Sequence, residues 1–218
     1  HASPHVDAGF VLTIDLENFF PTISFSRVIS IFRGLGYSGQ VSTSLAKLCC
    51  LDNVLPQGAP TSPSLSNIVC KRLDEKLERF AIESGLRYTR YVDDMCFSGG
   101  EIKKHTLDEI EKIVSSEGFR TNKSKTHLHA PRSNLKLVTG VNVALGKMSL
   151  PKSYKRAIST DLFHIEKYGL RSHLAKRKIR DPNYIEALVG KVGYWLFIEP
   201  ENKRAQHYKQ VLAQFVNI

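Results

Sequence analysis

Four cysteines are too few, and too irregularly spaced, to staple this chain. Cys49, Cys50, Cys70 and Cys96 form neither a disulfide framework nor a zinc-ligand pattern, and they sit in apolar stretches. They read as reduced core thiols of a cytoplasmic protein. Long apolar runs are also missing. Even residues 192–198 fall short of the roughly 20 residues that cross a bilayer, so no membrane association is expected. No secretory signal stands at the start. Internal repeats and low-complexity tracts are absent, which argues against a solenoid or a flexible linker. Acidic residues are in deficit, with 21 Asp and Glu against 31 Lys and Arg, a net charge of +10.

What is present is a 218-residue chain, 42% hydrophobic, long enough for one large or two small domains with a real core. Its most informative stretch is Tyr91-Val92-Asp93-Asp94, framed by Arg87-Tyr88-Thr89 and Met95-Cys96-Phe97-Ser98. Aromatic and β-branched residues on both sides predict two strands turning at the Asp pair. Adjacent carboxylates repel and raise each other's pKa, and a divalent cation between them removes the repulsion. Hard oxygen donors favour Mg²⁺ or Mn²⁺ over Zn²⁺. The plain alternative is an ordinary Asp-rich β-turn.

The run Phe10-Val11-Leu12-Thr13-Ile14-Asp15-Leu16 predicts a central strand buried on both faces, with a carboxylate near its end. Such an Asp needs compensation from a metal, hydrogen bonds or cleft solvent; alternatively, it caps a helix beginning near Phe19. If this strand lies beside the Tyr91 hairpin, Asp15, Asp93 and Asp94 converge. Three carboxylates can hold two Mg²⁺ ions about 3.5–4 Å apart for in-line phosphoryl transfer. Between the two lies Leu55-Pro56-Gln57-Gly58-Ala59-Pro60-Thr61-Ser62-Pro63, which excludes regular structure. It feeds a helix expected over 64–84, where Leu65, Ile68, Val69, Leu73, Leu77, Phe80 and Ala81 recur at helical spacing. Such a loop can present Gln57 to a flat polar ligand. Further helices are expected over 24–35 and around 107–114, and a third stretch of the same sheet over 136–143.

The charge is unevenly spread. Residues 1–146 are nearly balanced, with 17 basic and 15 acidic side chains, whereas residues 147–218 hold 14 and 6. This last third reads as helical. Pro151 and Pro182 each open a helix, and Ile185, Leu188, Val189, Val192, Trp195 and Leu196 form an apolar stripe. The cluster Lys176-Arg177-Lys178-Ile179-Arg180 precedes the second proline. A solvated basic face is the bland reading; an excess this large points to nucleic acid.

The order of these blocks resembles the palm of a reverse transcriptase. Asp15 with its two following aromatics, then Leu55-Pro56-Gln57-Gly58, then Tyr91-Val92-Asp93-Asp94, match that family's motifs A, B and C. Asn122-Lys123-Ser124-Lys125-Thr126 resembles motif D, and residues 137–143 fall at the primer grip. Val138-Thr139-Gly140 and His1-Ala2-Ser3-Pro4-His5 are similar to two signatures of bacterial retron enzymes. His1 stands where the second signature has Asn, and Val92 where many retron enzymes have Ala. Group II intron and diversity-generating enzymes share the palm and remain alternatives.

The resemblance implies an α+β fold: a right-hand palm over 1–146, with part of the fingers, and a basic helical thumb over 147–218. It implies RNA-directed DNA synthesis with two Mg²⁺ (or Mn²⁺) ions held by Asp15, Asp93 and Asp94, helped by the Leu16 carbonyl. Phe20 would be the steric gate against a 2′-hydroxyl, with Phe19 the core ring. Gln57 would contact the incoming dNTP. Lys125, or its rival Lys123, would protonate the pyrophosphate. His5, Val138, Thr139, Gly140, Lys176, Arg177, Lys178 and Arg180 would contact nucleic acid. The implied partners are a structured non-coding RNA, its RNA–DNA hybrid and a defence effector protein, in the bacterial cytoplasm. The family's basic finger residues precede motif A, so a palm-and-thumb portion of a longer enzyme is expected. A scaffold that has lost catalysis and a metal-dependent nuclease are the competing classes.

Overall fold

The computed structural model describes residues 1–215; the last three residues of the expected 147–218 region lie outside the described residues. The elements run β1 (Phe10–Leu16), α1 (Phe19–Thr22), α2 (Phe25–Gly34), α3 (Gly39–Cys49), α4 (Ser62–Val69), α5 (Lys71–Glu83), β2 (Arg87–Tyr91), β3 (Asp94–Gly99), α6 (Lys104–Ser116), β4 (Thr121–His129), β5 (Leu137–Val138), β6 (Val141–Asn142), α7 (Lys152–Tyr168), α8 (Leu170–Arg177), α9 (Tyr184–Ile198) and α10 (Lys203–Ala213). They divide into two compact units, His1–Thr139 and Gly140–Ile218, so the division falls earlier than the expected 146/147 boundary.

In the first unit, β1 is an inner strand of a four-stranded antiparallel sheet ordered β2-β3-β1-β4. Its alternate residues Leu12, Ile14 and Leu16 face the helices, opposite Phe97 and Met95 of β3. Val28, Leu65, Leu73, Leu77, Ala81, Ile110 and Val114 from α2, α4, α5 and α6 complete that core. Burying a Leu- or Phe-sized side chain contributes about 1.5–3 kcal/mol, so this layer supplies most of the force that flattens the sheet onto the helices. The other face carries Val11, Thr13 and Asp15, with Ser98, Cys96 and Asp94 beside them.

Three expectations need correction. The helix expected over 64–84 is two helices, α4 and α5, meeting at Cys70. Cys70 keeps φ −80° and ψ −2°, close to helical values, so the apolar spacing carries through the interruption without losing phase. The stretch 136–143 is not a strand of the main sheet. Thr139 and Gly140 have φ of 44° and 80°, which breaks it into the two-residue strands β5 and β6. The fourth place in the main sheet belongs to β4, a polar edge strand that lacks the apolar alternation by which strands are read.

The second unit packs α7 to α10 around Ile158, Leu162, Ile165, Leu188, Val192, Trp195, Ile198, Tyr208 and Leu212. The expected α9 stripe holds at Leu188, Val192 and Trp195, and Ile198 joins them, whereas Ile185, Val189 and Leu196 are half-buried. Glu199 ties the unit together. It accepts hydrogen bonds from the Leu150 N–H at 2.8 Å, Lys155 Nζ at 2.9 Å and Asn202 Nδ2 at 2.8 Å. Burial alone would raise its pKa, but these hydrogen bonds outweigh burial and the carboxyl ends below its usual range. No helix among the described residues is long and apolar enough to cross a membrane.

Candidate active site

The antiparallel register sets Asp15 of β1 directly opposite Asp94 of β3. Directly opposed residues share a face, so both carboxylates project from the side of the sheet away from the helices. Val92 and Asp93 form the tip of the β2–β3 hairpin, and Tyr91 pairs with Asp94 to close it. The Leu16 N–H donates to the Asp93 carbonyl at 3.0 Å, which fixes the tip against the end of β1. Burial raises the Asp94 pKa, and the charges of Asp93 and Asp15 raise it further, while Lys125 opposes them.

Lys125 reaches this pair through an irregularity in β4. Asp15 pairs with Asn122 and Thr13 with His127, so β4 bulges over 123–126. Asn122 shapes the bulge: its Oδ1 accepts from the Ser124 N–H at 3.1 Å, and its carbonyl accepts from Thr126 Oγ1 at 2.9 Å. The bulge delivers Lys125 Nζ to both oxygens of Asp15, 3.2 Å from each. Bulges recur beside active sites because they re-aim a side chain. Lys123 instead lines a polar groove of about 560 Å³ with Glu17, Glu111, Arg120 and Asn122. Lys125, and not Lys123, is thus the lysine that meets Asp15.

The donor set suits a hard cation: carboxylate oxygens, two of them opposed, whose mutual repulsion is already expressed at Asp94. Asp93 stands in the turn, and among the described residues no three His, Cys, Asp or Glu side chains are grouped closely enough to hold a metal. Asp15 and Asp94 are opposed in the register, and Asp93 is near enough for its charge to act on Asp94, without the three forming a closed metal-binding group. The Lys125 ammonium supplies a positive charge beside Asp15.

The remaining expected residues fall as follows. Phe19 is the buried ring, 5.6 Å from Phe119, and Phe20 is half-buried beside it at 5.3 Å. Gln57 is exposed on the loop before α4, which Ser62 Oγ steadies by donating to the Pro56 carbonyl at 2.7 Å. Leu16 is buried. Thr139 and Gly140 are exposed at their turn, but Val138 is fully buried and offers no side chain to a ligand. Lys176, Lys178 and Arg180 are exposed around the C-terminus of α8, whereas Arg177 is held by Asp161 at 2.6 Å.

His5 is fully buried, so its side chain does not meet nucleic acid directly. Its Nδ1 shares a hydrogen bond with Ser98 Oγ and its Nε2 with Thr89 Oγ1, each at 2.7 Å. It therefore staples β2 to β3, and burial holds it neutral, with its pKa pushed down to about 4. Sequence reasoning missed Asp74 and Arg90. Arg90 donates from Nε and Nη2 to the two Asp74 oxygens at 2.8 and 2.6 Å, and Tyr88 Oη donates to the same carboxylate at 2.8 Å. An Arg three residues before Asp93 was the available signal.

Residues 2–180 match the family model described as reverse transcriptase (RNA-dependent DNA polymerase). The chain belongs to the reverse transcriptase family. Its similar relatives are retron enzymes, as the two short signatures implied. The Retron Ec86 reverse transcriptase of Escherichia coli is 41% identical over 167 residues, covering 76% of this chain and 52% of the relative. The Retron Mx65 reverse transcriptase of Myxococcus xanthus is 38% identical over 164 residues, 65% of this chain and 38% of that one. The Retron Mx162 reverse transcriptase of the same organism is 27% identical over 235 residues, 94% and 48%. The chain spans about half the length of the curated relatives it matches.

Proposed function

We propose that this chain supplies the palm and thumb of a retron-type reverse transcriptase that copies a structured non-coding RNA into DNA. The observation that carries the reading is the opposition of Asp15 and Asp94 at two strand ends, with Lys125 Nζ against Asp15. Asp15, Asp93 and Asp94 would hold Mg²⁺, which supplies Lewis-acid activation of the attacking hydroxyl and charge neutralisation at the triphosphate. The protein's part is positioning and electrostatics. The hairpin sets the carboxylates, Gln57 and Phe20 bound the nucleotide, and Lys125 protonates the departing pyrophosphate. Priming from a 2′-hydroxyl of the RNA, a covalent RNA–DNA product and a defence effector are what the resemblance to retron enzymes implies, and they belong to the same proposal. Incorporation of dNTPs on an RNA template tests it, and shortening of the template instead of extension would support the nuclease class.

Two variants probe the nucleotide and nucleic-acid contacts. Phe20→Ala is expected to relax rejection of rNTPs by about 10–200-fold, the range for one extra group in an apolar pocket. Competition between dCTP and CTP measures it, and unchanged rejection moves the gate elsewhere. Reversing Lys176, Lys178 and Arg180 to Glu is expected to lower the slope of log affinity for RNA against log salt by about 3. Arg177 is left out because Asp161 already neutralises it. An unaltered slope returns the cluster to a solvated face.

A further inference from the structure

Val92 sits at the tip of the catalytic hairpin with φ +58°. A β-branched residue in the left-handed region is an outlier that persists only where its surroundings over-determine it. The surroundings are specific. Arg90 Nη1 donates to the Val92 carbonyl at 2.9 Å and to Asn67 Oδ1 at 3.1 Å, while Nε and Nη2 grip Asp74. The Arg90 side chain is 5% exposed, so its charge is nearly removed from water and fully engaged. Burial works against that charge, but the hydrogen bonds to Asp74 outweigh it and the guanidinium pKa is raised.

The clamp has a direction. Asn67 lies on α4, the helix fed by the Gln57 loop, and Asp74 lies on α5. The Val92 carbonyl belongs to the peptide whose N–H is that of Asp93, so holding it sets the plane from which the Asp93 side chain departs. The Asp93 carbonyl is held from the other side by Leu16. A planar fork can make all four bonds at once, whereas a lysine ammonium at the same place cannot.

We infer that Arg90 is a positioning residue: braced by Asp74 and Asn67, its fork grips the Val92 carbonyl and holds the strained turn that aims Asp93 and Asp94 beside Asp15. The inference rests on the polymerase reading above and adds a route by which the helices behind the sheet set the geometry of the carboxylates. A salt bridge that merely docked the hairpin on α5 would have no need of the turn's conformation.

The test is a double-mutant cycle in the full-length protein that contains this chain. Single-nucleotide incorporation is measured on a primed RNA template against Mg²⁺ concentration, with template affinity and thermal melting alongside and Asp93→Asn as the inactive control. Arg90→Lys is expected to slow incorporation by about 10²-fold, the cost of a small misplacement, and to raise the Mg²⁺ needed for half-maximal rate, with template affinity near wild type. Glycine adopts φ +58° without being held. In a Val92→Gly background the loss from Arg90→Lys is therefore expected to shrink several-fold. Equal losses in both backgrounds, or a wild-type rate for Arg90→Lys, overturn the inference while leaving the polymerase intact. Should Arg90→Lys fail to fold, Asn67→Ala takes its place in the cycle, with a smaller loss expected and the same comparison deciding. A wild-type protein that extends nothing overturns the polymerase reading and the inference with it.

Discussion

Asp94→Asn is expected to lower primer extension by at least about 10³-fold while leaving template RNA affinity near wild type. Removing one of two opposed carboxylates takes away a hard oxygen donor, and polarisation by a bound cation is worth several kcal/mol, each 1.4 kcal/mol or so being tenfold in rate. The substitution conserves shape, so the hairpin is expected to survive. Stability provides an independent sign. Burial and the neighbouring Asp93 and Asp15 raise the Asp94 pKa in the folded protein, so the ionised carboxylate opposes folding. That penalty is absent at low pH, where Asp94 is protonated in both states. It grows as pH rises through the unfolded carboxyl's range to the raised folded value. The metal-free Asn variant is therefore expected to melt higher than wild type at neutral pH and to converge with it in acid. Equal loss of extension, RNA binding and melting temperature would assign Asp94 a folding role instead.

Lys125→Ala is expected to slow single-turnover incorporation by about 10²–10⁴-fold, the usual contribution of a positioned general acid. Two roles are open to this ammonium, acid for the leaving group and counter-charge for Asp15, and geometry alone supports both. Lys125→Arg separates them. Arginine keeps the charge beside Asp15 but does not give up its proton in a protein. A general-acid role predicts that Arg falls nearly as far as Ala, whereas a counter-charge role predicts that Arg stays close to wild type. Side-chain entropy and solvent screening limit what a half-exposed ion pair adds to stability, so melting temperature is expected to change little in either variant.

The legibility of this chain followed its apolar patterning. β1 and the Tyr91 hairpin were readable because continuous apolar or aromatic runs meet abrupt carboxylates, and the structure keeps the β1 bounds. α3 went unread because Gly39-Gln40-Val41-Ser42-Thr43-Ser44 is poor helix sequence. Its hydroxyls bond back within the helix, Thr43 Oγ1 to the Gly39 carbonyl at 2.8 Å and Ser44 Oγ to that of Gln40 at 3.1 Å. β4 was legible as a motif but not as a strand, since an exposed edge strand can do without an apolar face. The contact of Lys125 rather than Lys123 with Asp15 depends on a bulge, and no spacing rule reports a bulge shaped by an Asn side chain. Asp74 and Arg90 lie 16 residues apart on a helix and a strand, and each alone looks like an ordinary surface charge. Only the packing of α5 against β2 reveals that they form one unit beneath the turn.

The most direct measurement is primer extension by the full-length protein containing this chain, on a structured RNA template with dNTPs and Mg²⁺, beside an Asp93→Asn control. The account predicts extension by wild type that vanishes in the control while both bind the RNA. A folded wild-type protein that binds the RNA but leaves the primer unextended, or shortens the template, would contradict it.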